Sequence, residues 1–171
     1  MPRTTSPTII IHENTAFLTP TATQQDTARI ARNIVKVDIL CAVSAEAVRT
    51  IPWHVTRVDI GAGASYKAVL AIPGHVKVVG IVTGTSPEAV QAIPRHIIQV
   101  DIGSGTSFKA VQVIPRHVRQ VFIGPGTSLK AVRAIPGHVT QVAIGAGTYS
   151  KAVLLLVASF KLNNLKIAVL K

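Results

Sequence analysis

Acidic residues are scarce in this chain and then stop altogether. There are seven Asp and Glu, the last of them Asp101, against 18 Lys and Arg, for a formal net charge of +11. Residues 1–101 carry nine cations together with all seven acids, whereas residues 102–171 carry nine cations and no acid. A field of this kind favours anionic partners, whether nucleic acid, phospholipid headgroups or an acidic protein. A plainer use of the same cations is to keep a chain with few polar positions in solution.

Cysteine is nearly absent: Cys41 stands alone, which excludes an internal disulfide framework and is compatible with a reducing compartment. Aromatic residues are 4% of a chain that is 48% hydrophobic, so the apolar load falls on Val, Ile and Ala and suits many short β-branched strands. Long apolar runs are missing too. The longest, residues 152–158, is far below the ~18 needed to span a membrane. The run 9–11 is too short for a signal-peptide core, and no cleavage pattern follows it. A soluble protein is expected, compatible with the cytoplasm, and the 171 residues suffice for one domain with a substantial core.

What the chain has in abundance is repetition. Pro52, Pro73, Pro94, Pro115 and Pro136 stand at equal spacings of 21 residues, each inside Ile-Pro-x-His. The unit reads I-P-x-H-V-x-x-V-x-I-G-x-G-T-S-x-K-A-V-x-A, and a fixed period of this length marks a stacked-repeat architecture. Residues 30–50 keep the apolar positions but carry Ala31 for proline and Asn33 for histidine, while TATQQDTAR before them matches only the second half of a unit. Terminal units of solenoids degenerate in this way. The expected organisation is an N-terminal segment and degenerate cap over 1–29, six repeats over 30–155, and a C-terminal cap over 156–171. That last segment reads as a final strand, a hairpin at Asn163-Asn164 or a short helix, with a basic membrane-surface segment as the alternative.

Within a unit, V-x-x-V-x-I ends in period-2 alternation and predicts a short strand, so that Val142 and Ile144 point inward and Gln141 and Ala143 outward. Two glycines then bend the chain. The Thr-Ser pair of three units can cap the short helical stretch that follows, and the next proline stops that stretch. Stacked units pair their strands in parallel at ~4.8 Å and share one core.

V-x-x-V-x-I-x-x-G resembles the leucine-rich-repeat strand L-x-x-L-x-L-x-x-N, and the Ile-Pro before it resembles the Leu-Pro or Ile-Pro of short bacterial and FNIP-type repeats. The resemblance spans residues 30–155 and implies an α/β parallel-strand solenoid acting as a non-enzymatic protein-binding module. Gly63, Gly84, Gly105, Gly126 and Gly147 stand where that family has Asn or Cys. With the asparagine ladder missing, the turn is expected to rely on backbone freedom.

In a solenoid, equivalent positions form columns, and function is sought there. The fourth position stacks His54, His75, His96, His117 and His138. Zinc needs three or four ligands converging at ~2.0–2.1 Å, which a linear column does not offer, so these imidazoles are expected to bond neighbouring backbone groups. GSGTSFK, residues 103–109, lacks Walker spacing, and its recurrence marks repeat geometry. No Ser-His or Cys-His set converges, so neither catalysis, a metal nor a cofactor is expected.

The exposed strand face is the better candidate, since solenoids bind along such faces. Its seventh and ninth positions hold Arg57, Asp59, Gln99, Asp101, Gln120, Phe122 and Gln141, with Arg119 beside them; Trp53, Arg95 and Arg116 could extend that surface at the corner. A protein partner on this face is the first expectation. The alternative is nucleic acid or anionic membrane held by Lys109, Arg116, Lys130, Arg133 and Lys151.

Overall fold

The computed structural model describes residues 8–146 and 166–169. Its strands are β1 (Ile9–His12), β2 (Thr15–Leu18), β3 (Lys36–Ile39), β4 (Arg57–Ile60), β5 (Val78–Ile81), β6 (Gln99–Ile102), β7 (Gln120–Ile123), β8 (Gln141–Ile144) and β9 (Lys166–Val169). Among the described residues six five-residue helices lie between them: α1 (Gln24–Ala28), α2 (Ala45–Arg49), α3 (Tyr66–Leu70), α4 (Pro87–Gln91), α5 (Phe108–Gln112) and α6 (Leu129–Arg133). The strands form one sheet in chain order. β1 and β2 make an antiparallel hairpin, and from β2 onward every pairing is parallel and in register, so that Val58 meets Val79 and Val79 meets Val100. The fold is an α/β solenoid.

Each unit buries the same positions. Ile51, Val55, Val58, Ile60, Ala68 and Val69 are all at most 3% exposed, and the pattern repeats down the stack into one core. Five-residue helices are too short to persist alone, so packing of the Ala-Val pair against the strands holds them. Serine starts them: Ser44, Ser65, Ser86, Ser107 and Ser128 each accept the N–H of the alanine three residues on. α1 uses Thr23 in a reciprocal capping box with Asp26, and the Thr23 hydrogen bonds hold the Asp26 carboxyl below its usual range.

After α2 to α6 the proline opens an i to i+3 turn, with Val55, Val76, Ile97, Val118 and Val139 donating to Pro52, Pro73, Pro94, Pro115 and Pro136; after α1 Ala31 takes that place and accepts from Ile34. At the other end of the strand Gly63, Gly84, Gly105 and Gly126 have φ of 69° to 79°. The first unit places Ala42 there at φ 58°, a conformation a Cβ disfavours.

The expected reliance on backbone freedom is half of the turn's chemistry. The other half is a threonine column. Thr85, Thr106 and Thr127 are buried, and their hydroxyls reach the carbonyls of Ile60, Ile81 and Ile102 in the preceding unit at 2.5, 2.8 and 3.0 Å. Each also lies 2.8 Å from a carbonyl of its own turn, Val82, Gly103 or Gly124. Threonine therefore ties unit to unit at the position after the turn glycine, and in these three units the helix cap belongs to the serine that follows it.

Candidate functional site

The strand face divides into two parts. Over β3 to β6 it is a closed ionic ladder. In register, Lys36 stands beside Arg57 and Asp38 beside Asp59, which would set like charges against each other. The side chains resolve this diagonally. Lys36 Nζ lies 2.8 Å from Asp59 Oδ2 and 3.3 Å from Asp38 Oδ1, while Arg57 Nε donates to Asp59 Oδ1 at 2.7 Å. Arg57 Nη1 then crosses β5 to pair with Asp101, which also accepts from Gln99 Nε2 at 2.7 Å.

The crossing needs Gly80. A Cβ there would collide with Asp59 Oδ1 and fall 3.0 Å from Arg57 Nη2, so glycine leaves the space through which the arginine spans two strand intervals. Burial opposes the charges of Lys36 and Arg57, but hydrogen bonds and the charges of Asp59, with Asp38 or Asp101, outweigh it and raise both pKa values. Asp38 is pushed upward, by burial first and then by the neighbouring Asp59.

From β7 the ladder ends. Gln120, Phe122, Gln141 and Ala143 occupy the same columns and, with Gln99, line a shallow depression. Phe122 is half-buried, and its ring lies across Gly145 of the next unit, where a Cβ would come within 2.7 Å of the ring. Gln120 and Gln141 make no side-chain hydrogen bond among the described residues.

The candidate residues thus separate into three places. Asp59 and Asp101, 4% and 6% exposed, are engaged by Arg57 beneath the surface and do not present free carboxylates. Gln99, Gln120, Phe122 and Gln141 lie together. Arg119 sits in the turn before β7, exposed, with Nη1 donating to the His138 carbonyl at 3.0 Å, so it borders the face without pointing across it. Of the anion-binding candidates, Lys109, Lys130 and Arg133 lie on α5 and α6, Arg116 is at the corner after α5, and Lys151 lies outside the described residues. So does the C-terminal segment apart from β9, which extends the sheet beside β8.

Phe108 and Gln112 belong to none of the columns singled out in the sequence. They line an open groove between α5 and α6 with Lys130, Arg133 and Ala134. The signal for them in the sequence is an aromatic at the variable position before the unit's lysine.

The histidines serve the corner. His54 and His138 place Nε2 3.0 Å from the carbonyls of Ala31 and Pro115, each in the preceding unit. Nε2 of His75, His96 and His117 is buried outside hydrogen-bond geometry. Burial is the main reason the His96, His117 and His138 pKa values fall, and nearby Lys77, Arg95, Arg116 and Arg119 add to it against the favourable pull of the proline carbonyls. Among the described residues no group of three or more His, Cys, Asp or Glu could share a metal ion, and no helix is long and apolar enough to cross a membrane.

No protein-family model matches the chain, and no curated protein matches it by sequence. Solved structures do. The leucine-rich repeat-containing protein LegL7 from Legionella pneumophila superposes with a TM-score of 0.57 at 16% identity, over 84% of this chain and 59% of LegL7. The circular leucine-rich-repeat protein CroV588 gives 0.38 at 11% identity, over 84% of this chain and 29% of that one. The chain therefore spans about three-fifths of LegL7. Its fold is that of a leucine-rich-repeat-like solenoid.

Proposed function

We propose that this protein is a non-enzymatic binding module that holds another protein on its strand face, centred on Gln99, Gln120, Phe122 and Gln141. The observation that carries this reading is the end of the ionic ladder at Asp101. Upstream, the seventh and ninth columns satisfy one another; downstream, they present carboxamides with donors and acceptors to spare, beside a half-buried aromatic ring. An aromatic among carboxamides, with the exposed, in-register Lys166 of β9 at its rim, matches the make-up of an interface core with a charged rim.

The test is quantitative capture from lysate at moderate salt, comparing the parent chain with a triple Gln120→Ala, Phe122→Ala, Gln141→Ala variant. The expected outcome is at least about a tenfold loss of defined polypeptides, the cost of truncating an aromatic anchor. Equal recovery by the two proteins would remove the strand-face assignment.

A further inference from the structure

We propose that the groove between α5 and α6 is a second binding site, for single-stranded nucleic acid. Phe108 begins α5 and is 45% exposed, a large ring left in water in a chain with few aromatics. Gln112 lies one turn further along the same helix, and Lys130 and Arg133, three residues apart, share a face of α6. Together with Ala134 these side chains line one groove.

Charge complementarity sets the occupant. The side chains of Gln112, Lys130 and Arg133 form no hydrogen bond or ion pair among the described residues, in contrast to Lys36, Arg57 and Arg49, each of which meets a carboxylate. No acid exists anywhere beyond Asp101 to neutralise them. Lys109 on α5 and Arg116 at the following corner, both exposed, extend the same sign on either side. A ring on which a base stacks, a carboxamide that can pair with a base edge, and cations for the flanking phosphates are the parts of a single-strand platform.

A bilayer fits less well. The other exposed apolar side chains of the helix layer, Tyr66 and Leu70, lie on α3 with Lys67, and α4 with its exposed Glu88 separates them from Phe108, Lys130 and Arg133. Apolar and cationic surface therefore do not form the one continuous face that an interfacial element needs. A duplex would not offer its bases to the Phe108 ring.

Fluorescence anisotropy with a labelled 20-nucleotide oligothymidylate and the full chain tests the site. Binding should weaken by about 25-fold to about 600-fold for a tenfold rise in salt, the range from two phosphate contacts (Lys130 and Arg133) to four (with Lys109 and Arg116) on a single strand. Phe108→Ala should weaken it about tenfold through lost stacking. Lys130→Glu with Arg133→Glu should abolish it, and the Gln120, Phe122 and Gln141 triple variant should bind as the parent does, which keeps this site separable from the strand face. Unchanged thermal melting of the exposed-site variants excludes a folding cause. The proposal is overturned if the oligonucleotide does not bind, if Phe108→Ala has no effect so that charge alone suffices, or if phosphatidylserine vesicles bind with the same variant dependence while the oligonucleotide does not.

Discussion

The two halves of the coil hold their units together by different means. Around β3 to β6 the tie runs across the strand face, from Asp38 through Lys36, Asp59 and Arg57 to Asp101, and the turn column there begins with apolar Val43 and Ala64. From the third full unit a second tie is added in the turn, where Thr85, Thr106 and Thr127 each bond back to the strand before; the two ties overlap over β4 to β6, and from β7 onward the strand face carries no ion pair among the described residues. Where the ladder ends, the buried turn ties continue without it, and among those residues the side chains of the outer columns no longer bond to one another. The first half uses its face on itself.

The largest expected effect comes from breaking the ladder at its bridge. Arg57→Ala strands two carboxylates, Asp59 and Asp101, whose side chains are only 5% and 8% exposed. Removing one partner of a buried pair costs ~3–5 kcal/mol; with Arg57 itself 36% exposed and Lys36 still on Asp59, the loss should be about 2–3 kcal/mol in urea unfolding. Gln120→Ala, in the same column of the second half, should cost under ~0.5 kcal/mol. Similar losses at the two positions would mean the halves do not differ in this way.

The turn device gives the next effect. Thr106→Val keeps the shape and removes the hydroxyl shared between the Ile81 and Gly103 carbonyls, which should cost about 1–2 kcal/mol. The converse sharpens the comparison: Ala64→Thr introduces the device into a unit that lacks it and should gain up to ~1 kcal/mol. Stability measurements that show no change in either variant would reduce the threonine column to packing.

How much of this the residues disclose depends on whether a position acts alone or through a neighbour. Strand, serine cap, proline turn and buried Val-Ile columns are each decided by a local pattern repeated at 21 residues, and all are legible in the amino-acid sequence. The ladder is not, because Arg57 reaches Asp101 only through the room left by Gly80 in the intervening unit, and a column read as a row of letters does not say which rungs are crossed. The threonine tie is half legible: Thr replaces Val43 and Ala64 in an inward column, a substitution that asks for a buried hydroxyl partner. The groove of Phe108 is least legible, since it depends on how neighbouring helices flank one another.

The smallest effect distinguishes the halves by pH. Three second-half rings, His96, His117 and His138, have folded pKa values below the ordinary 6.5, burial being the main cause and Lys77, Arg95, Arg116 and Arg119 adding repulsion. A depressed folded pKa means that the unfolded chain binds protons first as acid is added, so the stability these rings contribute is complete above about pH 6.5 and declines as pH falls through their folded values. Asp38 in the first half works in the opposite sense, because its raised pKa makes protonation easier in the folded chain, so its share of stability grows on acidification. Replacing all three histidines by Gln, which keeps a polar side chain at each corner but cannot take up a proton, leaves Asp38 unchanged and isolates the rings. The parent chain should lose urea midpoint between pH 8 and pH 5, and the triple variant should lose less. Equal acid sensitivity in both would show that the charging of these corners carries no part of the stability difference between the two halves.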